Sequence, residues 1–500
     1  MDSFIGNNLT PARTTAGLIL MLAALSTLSL TGCAVGPDYV PPRMDLPQTY
    51  KSQAALNSAE QGSQAPALDS WWTGFRDPQL ERIIKRVLEQ NLDLAGSMAR
   101  IQQARAAAMG AGSLRMPQGT MDASGAWEYQ SIESPLGKIG HAFPGYERSQ
   151  TLESVSIGAS WELDLAGGLK RNAEAARDEA QAAEAMWAGV RISVAAEAAD
   201  AYFRVLGANA RIEVIEWEVE TDTRLLDLEQ KRMIYGVATK RDLARVEARL
   251  AQDRASLPPL RTELELQLNR LDVLMGAVPG TYASELKAAR SDYVIPTIAT
   301  GEGPKELLRR RPDVIAAERR LAAATARIGV ATAEYYPKVS LAGLLGFESL
   351  SARAMFSSAT FQPAAVAGLR WRLFDFGRVD AEVTQAKGGR AEALVAYRKA
   401  MLRATEDVEN TMTAFVQLYV QKEDVTRGLK ALELAYTAAQ EEQSAGTGDL
   451  VDVLSEERQL LAARDALAHV KAEEARASVA VFRALGGGWA PATVNGEANH

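Results

Sequence analysis

The chain has 500 residues, of which 47% are hydrophobic and 24% charged, with a formal net charge of −8 and a single cysteine. The mildly acidic balance argues against nucleic acid as the main ligand, one cysteine excludes an internal disulfide framework, and the length allows two or three ordinary domains. Beyond the N-terminal segment no apolar run reaches the ~20 residues of a transmembrane helix, so any membrane crossing must use strands.

Residues 1–32 read as a processing segment. Arg13 supplies the positive charge, and Gly17 to Leu30 form an apolar stretch that is short for a membrane span and right for a signal peptide. Leu30-Thr31-Gly32-Cys33 resembles the bacterial lipobox, in which the peptide is cut before the cysteine and the thiol is acylated. That resemblance implies lipidation at Cys33, including a palmitate-type acyl chain, and two or three chains anchor far better than one at ~0.8 kcal/mol per buried methylene. Ala34 stands where an aspartate would signal inner-membrane retention, which points to the outer membrane.

Residues 33–76 follow as an N-terminal tether, rich in Pro, Gln, Ser and Ala up to residue 68 and expected to be extended. Helical patterning begins at Asp77-Pro78, and a second helix is expected from Asn91 to Ser113, closed by Pro117. The clearest strand alternates Val155, Ile157, Ala159, Trp161, Leu163 and Leu165 with polar partners, the period of two that a barrel strand between lipid and water needs. A soluble, half-buried strand would show the same period. In the second half Val339 to Phe347 alternate likewise, and a return strand is expected to carry Ala367, Leu369, Trp371 and Leu373 outward. Each return strand leads into a proline-free, Ala-rich stretch, Leu169 to Tyr235 and Arg378 to Ser444, long enough for a helix of ~100 Å. A short break at Gly236 or at Gly446-x-Gly448 precedes a returning helix, from Arg241 to Met275 or from Leu450 to Leu485. Pro258-Pro259 predicts a kink or a helix–helix junction in the first of these.

The second half repeats the first. Trp161, Gly167, Gly236, Asp242 and Gly276 recur 210 residues later as Trp371, Gly377, Gly446, Asp452 and Gly486. Upstream the offset is 220, from Asp93, Arg100 and Pro117 to Asp313, Arg320 and Pro337. The ten-residue difference must lie between Pro117 and Trp161. A unit this long, present twice, is one structural half built twice rather than a solenoid of short repeats. The domain reading is therefore a first repeat at 77–277, a linker at 278–304, a second repeat at 305–487 and a tail at 488–500. Each repeat offers one hairpin, so the chain offers four strands. Four strands cannot close, and an open edge in lipid costs several kcal/mol per unsatisfied group. Membrane strands here would have to come from several protomers.

Cys33-Ala34-Val35-Gly36-Pro37-Asp38-Tyr39, Trp71-Trp72, Phe75-x-Asp77-Pro78-x-Leu80 and Asn91-Leu92-Asp93-Leu94 follow in order. Arg311-Pro312-Asp313-Val314, Tyr336-Pro337 and Trp371-Arg372-Leu373-Phe374-Asp375 are similarly placed in the second repeat. Together they resemble the outer-membrane efflux channel family, the TolC-like proteins, in its NodT-type lipoprotein branch. The resemblance implies a mixed α/β membrane protein: a homotrimer whose 12-stranded outer-membrane β-barrel continues into a 12-helix periplasmic α-barrel. It also implies partnership with a periplasmic adaptor and an inner-membrane pump of the resistance-nodulation-division type, contact with outer-membrane lipid, and passive conduction of small molecules such as drugs. A pore-less periplasmic scaffold, a lipoprotein enzyme of the envelope and a type I protein-secretion duct are the alternatives.

No enzyme constellation is present. His141, His469 and His500 form no pair with metal-ligand spacing, and no nucleophile elbow, phosphate loop or H-E-x-x-H occurs. No cofactor is implied. The candidates for function are the repeated acids just after the helical corners, Asp242 and Asp452. The resemblance places Asp452 at a periplasmic aperture, where symmetry would gather like charges that attract cations. A first-turn acid also complements the helix dipole, and for Asp242 that reading stands level with the aperture. Three residues past Asp452, where many relatives carry a second acid, this chain has Ser455, followed by Glu456 and Glu457. Gly236, Gly446 and Gly448 are expected to make the corner turns.

Overall fold

The computed structural model describes residues 34–43, 47–59, 65–287, 289, 292–299, 303–305 and 310–490. The expected signal peptide, Cys33 and residues 491–500 of the tail lie outside the described residues. In chain order the elements begin with α1 (Gln53–Ala59), a 3-10 segment (Leu68–Phe75), α2 (Pro78–Gln90) and α3 (Leu92–Ser113). The first hairpin follows as β1 (Gln118–Tyr129), α4 (Pro135–His141) and β2 (Ser149–Leu163), leading to α5 (Gly168–Ile234), α6 (Lys240–Leu274) and α7 (Ala283–Lys287). The second repeat supplies α8 (Pro312–Ala333), β3 (Lys338–Ser349), a 3-10 turn (Ala352–Ala354), β4 (Phe361–Arg370), α9 (Arg378–Ser444) and α10 (Leu450–Ala484).

The repeat read from the sequence is kept element by element. Helices α5 and α9 are each 67 residues and begin 210 apart, as do α6 and α10 with 35 residues each. Helices α3 and α8, and strands β1 and β3, have equal lengths at an offset of 220. Most of the extra residues sit in the hairpin connection, which runs over 130–148 and holds α4 in the first repeat but only over 350–360 in the second.

The chain divides into two compact units. One, formed by residues 34–39, 109–175 and 325–388, is built on a four-stranded antiparallel sheet in the order β1-β2-β3-β4. Apolar side chains on this sheet stay exposed, Met121 at 70%, Ile157 at 61%, Leu345 at 60% and Leu369 at 69%. Such a surface is a liability in water and an asset in lipid. Each return strand ends earlier than the alternation predicts, at Leu163 and at Arg370, so Trp371 and Leu373 lie beyond β4 rather than in it. The reason is a tight turn: Leu165 N–H bonds Leu163 O, and Leu373 N–H bonds Trp371 O. Equivalent indoles pin both turns, Trp161 Nε1 donating to Arg115 O at 2.9 Å and Trp371 Nε1 to Tyr335 O at 3.0 Å. In the first repeat the segment after Cys33 is held down by buried Arg171, which donates to Val35 O and Gly36 O and pairs with Asp38 at 2.7 Å.

The second unit comprises the described residues within 40–108, 176–324 and 389–490. Its apolar centre gathers Trp71, Phe75, Tyr202, Phe203 and Phe482, with Trp71 stacked on Phe482 at 5.5 Å. Part of the expected extended tether is thus folded, because α1 buries Leu56 and the 3-10 segment buries Trp71 and Phe75, which the average composition conceals. Asp77 caps α2 through Gln79 N–H and Leu80 N–H and accepts Tyr202 Oη at 2.8 Å, with Pro78 at the first helical position. Helix α6 runs unbroken through Pro258 and Pro259. Proline's φ is already helical, so the cost is confined to lost donors and ring crowding. The helix–helix junction occurs elsewhere, where the end of α6 meets the start of α3 and, in the repeat, α10 meets α8. Asn91 Nδ2 donates to Leu274 O at 2.9 Å, and its counterpart Arg311 Nη1 donates to Ala484 O at 3.2 Å. Gly276 and Gly486, at φ +69° and +74°, let the chain pass close to Gln90 O and Arg310 O, where a Cβ would collide in the first case, at 2.5 Å, and crowd in the second, at 3.1 Å.

Candidate functional site

Two helical corners carry the candidate residues, and both begin with a left-handed glycine. Gly236 has φ +75° and Gly446 φ +76°, a conformation that suits glycine after a helix C-terminus. Val237 N–H then reaches back to Arg232 O at 2.9 Å, and Thr447 N–H to Glu442 O at 3.0 Å, satisfying carbonyls that the helix ends leave open. Gly448 lies in the second corner, where a Cβ would approach the Glu442 side chain and the backbone of Gln443 to within 3.0–3.2 Å.

Past the glycines the corners differ. In the first, Thr239 and Asp242 form a capping box: Asp242 N–H donates to Thr239 Oγ1 at 3.2 Å, and Thr239 N–H to Asp242 Oδ2 at 3.1 Å. The Thr239 hydroxyl also donates to Oδ2, at 2.6 Å, and this bond followed by the backbone one holds the Asp242 carboxyl below its usual range. Its carboxylate is occupied by the helix end.

In the second corner the cap position is Asp449. It accepts Val451 N–H at 3.2 Å and reaches across to Arg232 Nη1 at 2.6 Å, tying the end of α5 to the start of α10. The backbone bond and then the guanidinium lower the Asp449 pKa. Asp452 consequently has no capping partner to serve. It is exposed, and its carboxylate makes no hydrogen bond or ion pair with any described residue. Of the acids that follow, Glu456 accepts Gln459 Nε2 and Glu457 is taken by Arg224 at 3.1 Å.

Behind the corner the contact between α5 and α10 continues as a zipper. Arg224 Nη2 lies 3.1 and 3.2 Å from the two Glu457 oxygens. Arg211 grips Asp465 in fork geometry at 2.8 and 3.1 Å, the geometry that makes guanidinium–carboxylate pairs directional. Sequence reasoning missed these residues because they are not duplicated: Glu442, Leu434 and Gln421 stand where the second repeat would carry Arg232, Arg224 and Arg211.

Between α5, α6 and α10 lies a buried acidic group that sequence reasoning also missed. Asp222 is fully buried, and its oxygens have no N–H or hydroxyl donor among the described residues, only the neighbouring Asp253 carboxyl. Burial first, and then the adjacent Asp253 carboxyl, push its pKa up. One turn earlier Glu218 is raised to about 7 by burial and by the charges of Asp253 and Asp465, against the opposing pull of Arg249 and Arg458. A sequence signal existed in the spacing of 218 and 222, four apart on one helix face.

A charged concavity of about 690 Å³ elsewhere in this unit brings together Glu197, Arg270, Arg311 and Asp407. The duplicated acids find different partners there, Glu197 taking Arg270 and Asp407 taking Arg311. Among the described residues no three His, Cys, Asp or Glu side chains are placed to hold a metal ion, and no helix is long and apolar enough to cross a membrane.

Against known proteins, the chain matches the family described as outer membrane efflux protein over residues 83–277 and 303–487, one match per repeat. Similar relatives include the pyoverdine export outer membrane protein OpmQ of Pseudomonas putida, 31% identical and covering 94% of this chain and 97% of the relative. Nodulation protein T of Rhizobium leguminosarum bv. viciae is 25% identical, with 94% of each covered. The solved outer-membrane channel OprN superposes with a TM-score of 0.77 at 33% identity, covering 91% of this chain and all of that one. The open-state MtrE channel of Neisseria gonorrhoeae gives 0.78 at 25% identity over 91% of this chain and 99% of that one. Two duplicated halves, a sheet that keeps its apolar side chains outside and paired helices of 67 and 35 residues agree with that match along nearly the whole length: the chain belongs to the outer membrane efflux protein family.

Proposed function

We propose that this protein is the exit duct of a tripartite efflux system, a homotrimer anchored to the outer membrane through Cys33. Three chains of four strands close a 12-stranded barrel, and three sets of α5, α6–α3, α9 and α10–α8 form the periplasmic helical barrel. A periplasmic adaptor and an inner-membrane pump, of the resistance-nodulation-division type, deliver small molecules such as drugs or other toxic compounds, which the duct conducts passively. The observation that carries this reading is the sheet, whose outermost strands β1 and β4 each have one unpaired edge while its apolar side chains remain exposed. Only closure by further strands satisfies those edges in lipid.

In this reading the second corner is the gate. Three Asp452 carboxylates around the axis form an acidic aperture, and Arg232–Asp449 is the latch that holds α10 against α5. Asp242 serves as a cap. Adaptor binding swings the α9–α10 tips outward, parts the latch and widens the ring. Cysteine pairs that lock neighbouring copies of the Asp452 corner together test this. The locked duct is expected to assemble as trimers and to lose efflux in whole cells, with recovery on reduction. Undiminished efflux from a fully locked duct would remove the gate from this corner.

A further inference from the structure

The internal repeat fixes how two copies of this chain meet. Within the chain, β2 closes the first repeat and pairs with β3, which opens the second, in a register running from Glu153↔Ser349 to Leu163↔Val339. The two hairpins obey the offsets strictly, since Gln118↔Ser160 in the first becomes Lys338↔Arg370 in the second. The pairing between repeats can therefore be carried forward one step. Adding 210 to β2 and subtracting 220 from β3 turns Ser160↔Ala342 into Arg370↔Asp122, Ala159↔Gly343 into Leu369↔Ala123, and Ile157↔Leu345 into Ala367↔Gly125.

Charge supports the same register independently. Arg370 is the only charged residue of β4 and forms no hydrogen bond or ion pair with any described residue of its own chain. Among the described residues, Asp122 accepts only from Thr120 Oγ1, at 3.1 Å. A slip of one residue would exchange the two faces of the strand. A slip of two would keep the faces but set Arg370 opposite Thr120 or Ser124. The turns beyond the strands agree. In the first repeat the β2–α5 turn, with Asp164 and Ala166, lines a cavity of about 200 Å³ against Ala333 and Glu334. The offsets carry Asp164 and Ala166 to Phe374, 89% exposed, and Phe376, 101% exposed, and carry Glu334 to Leu114, 50% exposed, with Met116 two residues on at 66%.

We propose that the free edge of β4 pairs antiparallel with the free edge of β1 of a second copy in the register Arg370↔Asp122, and that the Phe374–Phe376 turn covers Leu114 and Met116 of that copy. This rests on the closed ring proposed above and assigns its seam.

Pairs of cysteine variants in the full chain, oxidised in outer-membrane fractions and run on non-reducing gels, test the seam, with wild type and single variants as background. Asp122→Cys with Arg370→Cys is expected to give covalent dimers and trimers. Thr120→Cys or Ser124→Cys with Arg370→Cys, displaced two residues or ~6.8 Å along the strand, is expected to give about tenfold less. Preferential crosslinking of either displaced pair would overturn the register while leaving the ring intact. Absence of crosslinks in an assembled trimer would overturn the seam, and a monomer by native mass would overturn the ring itself. As a second reading, Asp122→Arg is expected to weaken detergent resistance of the trimer and Arg370→Asp to restore it in the double variant. Failure of that rescue counts against the pair.

Discussion

The two helical corners share a backbone and differ in wiring. Both use a left-handed glycine, and both start a helix of 35 residues four positions later. The first is closed upon itself, Thr239 and Asp242 satisfying each other. In the second, aspartate replaces threonine at the cap, Asp449 turns outward to Arg232, and Asp452 is left free. Duplication supplied the geometry twice, and a single change of cap chemistry made one corner self-contained and the other dependent on a neighbouring helix.

The largest expected effect lies behind the second corner. Glu218 and Asp222 are packed among Asp253, Asp465, Arg249 and Arg458 with their pKa values raised. A raised carboxyl favours the protonated, packed state, so its contribution is full below the unfolded pKa and is lost as pH rises through the folded value of about 7. Thermal unfolding of the purified protein should show the helical unit about 3 kcal/mol more stable at pH 5 than at pH 8 on this account. Asp222→Asn should flatten that dependence, and an unchanged slope would show that the buried acids do not titrate in this window.

Next in size is the cap itself. Thr239→Ala should cost about 1 kcal/mol, whereas Asp449→Asn, which keeps a good cap, should cost less in stability. The second change nevertheless removes the latch charge. Bilayer recordings should therefore show Asp449→Asn and Arg232→Ala raising conductance severalfold while Thr239→Ala does not, although an exposed pair of this kind contributes under ~1 kcal/mol to folding. Equal conductance in all three would erase the distinction between the corners. The smallest effect is expected for Asp242→Ala, a slight loss of thermal stability with ion selectivity unchanged in the same recordings.

Much of this fold was legible in the sequence because duplication and periodicity are local signals. The bounds of α5, α9, α6 and α10 fall within a residue or two of those expected, since long runs dominated by helix formers and ended by glycine leave little freedom, even across Pro258 and Pro259 in α6. The early ends of β2 and β4 were not legible, because alternation continues in Trp371 and Leu373 after the backbone has turned. Nor was the folded part of the tether, where Trp71 depends on Phe482, over four hundred positions away. At the site, Asp242 and Asp452 looked alike in sequence. What separates them is the residue three positions earlier and an arginine on another helix, a long-range pairing that repeat matching discards.

The most direct test of the account is single-channel conductance of the purified protein in a planar bilayer, wild type beside Asp452→Ala. A small, cation-preferring conductance is expected in the wild type and a larger or less selective one in the variant. A wild-type pore indifferent to the change would place the gate elsewhere, and a folded trimer that conducts nothing would contradict the duct.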